Sequence, residues 1–227
     1  MSTNAIAIPD VAFINNANQR TPCVLILDGS GSMDGGPINA LNAGLESLAQ
    51  SLAADTVARE RVRLKVLRVG DQDEVEVLQD WVDAIDFQAP QVVANGTTPL
   101  GGALSMALDS IEEEKRAMKA SGITYTRPLI WMITDGQPTD QDSWNNAVAR
   151  CSAAISAKQV ALFAIGTEGA DISVLSQVTG AVVLKLQGTN FKELFAFLSA
   201  SVASASKAAP GMAAQVALPP SLMTIPV

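Results

Sequence analysis

Residues 23–27 read Cys-Val-Leu-Ile-Leu, and this apolar run stops at Asp28 before Gly29-Ser30-Gly31-Ser32-Met33-Asp34-Gly35-Gly36. A short apolar run bounded by turn formers has the length and character of a strand buried on both faces, as in the middle of a parallel sheet. Asp28 then stands at the strand's carboxyl end, the edge at which open α/β sheets place their sites. Gly29 and Gly31 let the backbone turn sharply, so that Asp28, Ser30 and Ser32 converge on one point. Three hard oxygen donors at alternate positions suit a small divalent cation such as Mg²⁺.

The rest of the chain supplies the layers that such a strand needs. Pro37 opens a helix, where its missing N–H costs nothing, and Ile38, Leu41, Leu45, Leu48 and Leu52 recur on one face toward Ala58. That face is expected to cover the first strand. Arg61, Arg63 and Lys65 alternate with Val62, Leu64 and Val66, the period of a half-exposed strand whose charged row is solvated. A polar turn over Asp71–Glu74 leads to Val75–Val82, giving an antiparallel hairpin at the sheet edge. After a loop from Asp86 to Asn95, Thr98 is expected as a helix N-cap with Pro99 at the next position, and the helix runs through Leu104, Leu108 and Ile111 toward Lys119.

Pro128–Thr134 is a second buried strand, ending at Asp135. A helix over Trp144–Ala157, a strand over Val160–Ile165, a short helix near Ile172–Val178, a strand over Ala181–Leu186 and a helix over Phe191–Ala203 follow. This alternation predicts a doubly wound α/β fold, a mainly parallel sheet with helices on both faces and one antiparallel edge strand. Residues 1–20 form a lead-in in which Ile6-Ala7-Ile8 and Val11–Ile14 read as a short edge strand and Asn15–Asn18 as a turn; residues 21–205 form the domain. Residues 206–227 are a tail whose prolines, at 210, 219, 220 and 226, argue against a central strand; an extended segment packed on the body or offered to a partner is expected.

Composition narrows the function. With 48% hydrophobic residues in 227, the chain has ample material for a core. A net charge of −8 speaks against nucleic acid or an anionic membrane as partner, since both are drawn to basic surfaces. No apolar run approaches the roughly 20 residues of a membrane span, and the first residues lack the basic and apolar regions of a signal peptide, so a cytoplasmic location is expected. Cys23 and Cys151 have no metal-ligand spacing and read as two buried thiols. Histidine is absent, which removes Ser-His-Asp and Cys-His catalysis and any His-based zinc site.

Three segments carry a resemblance. Asp28-x-Ser30-x-Ser32, the run Asn95-Gly96-Thr97-Thr98-Pro99-Leu100-Gly101-Gly102 and the strand end Ile133-Thr134-Asp135-Gly136 together resemble the metal-ion-dependent adhesion site of von Willebrand factor A domains. The resemblance implies metal ligation by Asp28, Ser30, Ser32, Thr98 and Asp135, with Mg²⁺ as the ion and Mn²⁺ or Ca²⁺ as alternatives. It also implies a strand order with the third and second strands outside the first and the fourth to sixth on its other side. In the family a partner's Asp or Glu takes the open coordination position; Gly29, Met33, Gly96, Thr97 and Gln137, small or flexible, are expected to form the rim. Within the family, Asn18–Leu25, Phe87–Pro90 and Thr134–Asp140 are similar to bacterial TerY-like proteins of tellurium-resistance and stress-response operons. That likeness implies a TerD-like protein or a kinase and phosphatase pair of the same operon as partner. Gly29, where many relatives carry Thr, is a departure expected to loosen the loop.

Two enzymatic readings compete. Gly29-x-Gly31-x-x-x-Gly35 after a strand looks like a loosened dinucleotide fingerprint, but Asp28 and Asp34 put negative charge where a pyrophosphate should sit. A Mg²⁺-dependent phosphotransferase with Asp28 as nucleophile normally wants a second Asp where Ser30 stands, and the motif offers no general base. A non-catalytic protein-interaction module is the expectation.

Overall fold

Strand β1, Thr21–Asp28, is buried along its whole length and lies parallel to β2, Val62–Gly70, on one side and to β4, Leu129–Thr134, on the other. The computed structural model describes residues 13, 16–70, 74–208 and 218–224. β5, Ala161–Gly166, and β6, Val182–Leu186, continue the parallel arrangement, while β3, Glu74–Asp83, runs antiparallel to β2. A further strand, β7, Leu222–Thr224, runs antiparallel to β6, so the order is β3-β2-β1-β4-β5-β6-β7. The expected order holds, with a second antiparallel edge where one was predicted. The tail's prolines exclude a central strand only, and an edge strand needs ladder bonds on one side.

Helices α1, Gly36–Ala54, and α6, Phe191–Lys207, cover one face; α3, Leu100–Ala120, and α4, Gln141–Ser156, cover the other, with short helices α2, Ala58–Arg61, and α5, Ile172–Leu175, in the connections. The two-residue period of β1 sorts its side chains between these layers. Cys23, Leu25 and Leu27 pack with Leu41, Leu45, Leu48, Phe195 and Leu198; Val24 and Ile26 pack with Leu104, Ala107, Ile111 and Ala147. Cys23 and Cys151 fall in different layers and are free, and burial raises both thiols, Cys151 to about 12.

The charged row of β2 departs from expectation. Arg63 is 2% exposed, with Nε 2.5 Å from Glu114 Oε1, Nη1 3.2 Å from Asp83 Oδ1 and its guanidinium 4.8 Å from the centre of the Phe13 ring. Arg20 reaches the other oxygen of Asp83 at 3.3 Å. Lys65 pairs with Asp80, and Arg61, at the end of α2, donates to the Ser206 carbonyl. Periodicity reports which residues share a face. Whether that face meets water depends on carboxylates brought in from β3 and α3.

Of the lead-in strand expected over Ile6–Ile8 and Val11–Ile14 only Phe13 is described, and it is helical; the rest of it, the turn residues 71–73, and residues 209–217 and 225–227 of the tail lie outside the described residues. Among the described residues no helix is long and apolar enough to cross a membrane.

Candidate metal centre

The carboxyl ends of β1 and β4 are neighbours in the sheet, which brings Asp28 beside Thr134 and Asp135. Asp28 is fully buried; its Oδ1 accepts the Ser30 N–H at 2.8 Å and its Oδ2 accepts the Thr134 hydroxyl. Ser30 Oγ lies 3.0 Å from Ser32 Oγ, and Ser32 Oγ donates to Asp135 Oδ1 at 2.9 Å. The backbone joins the threonine segment to both others: the Gly31 N–H donates to the Gly96 carbonyl at 3.2 Å, and the Thr139 N–H to the Thr98 carbonyl at 3.0 Å. Thr98 Oγ1 stands 3.2 Å from where a Cβ on Gly136 would be. All five residues singled out as ligands therefore come from segments in mutual contact. Burial, and after it the negative charge of Asp28, push the Asp135 carboxyl above its ordinary range, while the Ser32 hydrogen bond pulls it back.

As a donor set, two carboxylates and three hydroxyls are all hard oxygens, which fit Mg²⁺ or a similar ion better than a thiophilic one. Among the described residues no three His, Cys, Asp or Glu side chains gather at one point. A cation here would meet mixed carboxylate and hydroxyl oxygens.

The expected rim needs correction. Gly96 and Gln137 are exposed and Thr97 half-buried, but Gly29 is buried and Met33 is fully so. Met33 ends a short 3₁₀ turn, Gly31–Met33, that directs its side chain into the layer of α1 and α6. Gly29 does not serve to loosen the loop either. A Cβ there would fall 2.5 Å from Arg68 Nε and 2.9 Å from the Val93 carbonyl, so the missing side chain makes room for Arg68. Thr98 is not an N-cap: α3 begins at Leu100, with Pro99 in the cap position and no side-chain cap bond there.

A family model described as von Willebrand factor type A domain matches residues 23–193. The chain belongs to this family. Its relatives include the collagen alpha-6(VI) chain of Homo sapiens, 28% identical over 180 residues, a match spanning 77% of this chain and 7% of that one. A solved von Willebrand factor type A structure from Catenulispora acidiphila superposes with a TM-score of 0.62 at 16% identity, covering 82% of this chain and 43% of the other. The vWF domain of the type V pili tip protein Mfa5 from Porphyromonas gingivalis gives 0.59 at 12%, covering 82% and 95%. The pilus adhesin SpaC from Lactobacillus rhamnosus GG gives 0.60 at 12%, covering 83% and 31%. These structural likenesses carry the fold.

Three residues that hold these segments of the von Willebrand factor type A domain together had no role assigned from the sequence. Thr134 orients Asp28 through its hydroxyl and accepts the Gly136 N–H at 3.1 Å; its place at a strand end, before Asp135, was the available signal. Asp140 occupies the N-cap position of α4, yet its carboxylate turns to α3 and accepts the N–H groups of Gly101 at 3.0 Å and Gly102 at 2.7 Å. Arg68 ties the loops together, donating to the Val93 carbonyl at 2.9 Å, to Asn95 Oδ1, and to Glu76 Oε2 at 3.0 Å. Nothing local in the sequence marks it.

Proposed function

We propose that this von Willebrand factor type A domain is a protein-binding module that holds a Mg²⁺-type cation with Asp28, Ser30, Ser32, Thr98 and Asp135 and receives a partner's Asp or Glu there. The observation that carries this reading is the hydrogen-bonded chain from Asp28 through Ser30 and Ser32 to Asp135, with like charge acting between its two carboxylates. Two negative groups held together at a sheet edge gain most from a cation between them. When bound, the ion supplies a Lewis-acidic point with coordination positions left for an outside oxygen. Asp28 contributes charge from below the surface, while Ser32, which is exposed, and Asp135, which is half-buried, stand at the surface. Two carboxylates balance a divalent ion, and the uncharged hydroxyls leave room for one further anionic oxygen. Similar structures include a pilus adhesin and a pilus tip protein, in keeping with adhesion and protein interaction as common tasks of the family. The TerY-like motifs support a cytoplasmic partner of a bacterial tellurium-resistance or stress-response operon, TerD-like or a kinase and phosphatase pair.

The enzymatic alternatives fit the geometry less well. The N–H groups of Gly29, Ser30 and Gly31 already donate to Val69, Asp28 and Gly96, so the glycine loop does not offer them to a pyrophosphate. Asp28, wholly buried with both oxygens hydrogen-bonded, lacks the open approach that a phosphoryl-accepting nucleophile needs.

Calorimetric titration with Mg²⁺ and Mn²⁺ tests the reading. Weak binding is expected for the wild type and none for Asp135→Ala, which should keep or slightly raise its melting temperature because a like-charge contact with Asp28 is removed. Unchanged ion affinity in Asp135→Ala refutes the ligand assignment.

A further inference from the structure

The threonine segment reaches the centre at the end of a long connection, residues 84–99, that forms neither helix nor strand. Side chains from the body hold it in place. Asn42 of α1 pairs with both backbone groups of Val92, donating to the carbonyl at 2.9 Å and accepting the N–H at 2.8 Å. Arg68, 5% exposed near the end of β2, takes the next stretch: its Nε donates to the Val93 carbonyl at 2.9 Å and its Nη2 to Asn95 Oδ1. Nη2 also lies 3.5 Å from the Gly29 carbonyl oxygen, and the Asn95 N–H donates to that same oxygen at 2.8 Å. One guanidinium thus joins the residue after Asp28 to the connection just before Thr98. Space for it is left on both sides, since a Cβ on Gly29 would fall 2.5 Å from Arg68 Nε and one on Gly70 2.8 Å from its Nη2.

Such a guanidinium acts on a cation at the centre in two opposite ways. As a positive charge it repels divalent ions alike, and the pairing of Nη1 with Glu76 Oε2 at 3.0 Å offsets part of that repulsion. As a planar fork of fixed donors it holds two loops at one separation, which a flexible ammonium does not do. Ions differ in how much they need this. Mg²⁺ requires near-octahedral oxygens at about 2.0–2.1 Å, whereas Ca²⁺ accepts irregular sets at about 2.3–2.6 Å. A clamp on the loops therefore favours the smaller ion.

We infer that Arg68 is a positioning residue that sets the centre's preference for Mg²⁺ over Ca²⁺, by fixing the spacing between the Asp28–Ser32 loop and the threonine segment. The inference rests on the proposed metal-binding reading and adds the residue that decides which ion is held. Removing the charge alone would raise the affinity for both ions. Removing the clamp lowers it, and lowers it most for Mg²⁺.

Calorimetric titration of the full chain with Mg²⁺ and with Ca²⁺ tests this on wild type, Arg68→Lys, Arg68→Gln and Asn95→Ala. In each variant the Mg²⁺ affinity is expected to fall about tenfold, the lower end of the range for groups that orient metal ligands, and the Ca²⁺ affinity less than about threefold, so that the preference narrows. Combining Arg68→Gln with Asn95→Ala should lower Mg²⁺ affinity little further than Arg68→Gln alone, because both remove the same contact. Glu76→Gln, which releases the exposed end of the fork, should leave the preference unchanged. A rise in affinity for both ions in Arg68→Gln, equal losses for the two ions, or a full preference kept in Arg68→Lys or Asn95→Ala overturns the inference and leaves the metal centre standing. Where Arg68→Gln does not fold, Asn95→Ala decides, since Asn95 is exposed and carries the same contact. Absence of any divalent-ion binding to the wild type overturns both readings.

Discussion

Replacing Asp140 by alanine tests how the threonine segment is held against the rest of the centre. The carboxylate accepts two amides from the first turn of α3, Gly101 at 3.0 Å and Gly102 at 2.7 Å, from a residue that begins α4. Gly101 is buried, so its N–H would have no substitute acceptor and should cost about 1–3 kcal/mol. Gly102 is half-buried and can turn to water, so losing its charged partner, with the favourable interaction at the helix start, should cost about 1 kcal/mol or less. The sum, about 1–4 kcal/mol, corresponds to a fall in melting temperature of roughly 2–16 °C for a domain of this size. Asp140→Asn keeps one acceptor oxygen and turns an NH₂ toward the other donor, so it should fall between alanine and wild type. Because Thr98 lies two residues before this helix and its carbonyl accepts the Thr139 N–H, metal affinity should weaken in the same order. Scanning calorimetry and ion titration on the three proteins read both effects. A melt for Asp140→Ala within about 1 °C of wild type would show that these hydrogen bonds do not hold the site, and the reasoning would fail.

Two further outcomes follow from packing and charge. A Cβ on Gly101 would fall 2.1 Å from the Trp144 nitrogen and 2.4 Å from the Ser143 carbonyl carbon, all backbone, so Gly101→Ala should cost at least about 3 kcal/mol by urea denaturation; Gly36→Ala, with nothing within 4 Å, should be neutral or slightly stabilising, and equal effects would refute the close packing of α3 on α4. Asp55 is held at about 2, below its ordinary 3.8, by the Lys207 ammonium first and then by the Ala58 and Val57 amides. The folded chain therefore binds fewer protons than the unfolded one between these values, and the stabilisation is complete above pH 3.8 and lost as pH falls through about 2. Asp55→Asn should be about 1 kcal/mol less stable at pH 7, allowing for solvent around Lys207, and its stability curve should meet the wild type's near pH 2; parallel curves would refute the linkage.

Local pattern made much of this architecture legible. The apolar runs at 23–27 and 129–134 and the helical period from Ile38 to Leu52 depend on residues near in sequence, and each became the expected strand or helix. The ligand candidates were legible for a related reason: Asp28 and Asp135 stand at the ends of two such strands, and adjacent parallel strands in one sheet deliver those ends to one edge. The rim differs from expectation at Gly29 and Met33 because a small or flexible side chain does not itself mark a surface position: a 3₁₀ turn buries Met33 and the Arg68 side chain fills the space beside Gly29.

What the sequence by itself determined was the alternation of strand and helix, the two-layered burial of β1 and the placing of Asp28 and Asp135 at the ends of neighbouring strands. Tertiary structure alone decided that Arg63 is buried between Glu114 and Asp83 and that Asp140 caps the helix of another segment. The division has a physical cause. Hydrophobic period and turn chemistry act over a few residues and are written in order along the chain, while a charge or hydrogen bond takes its meaning from a partner tens of residues away, which exists only once the sheet has set both in place.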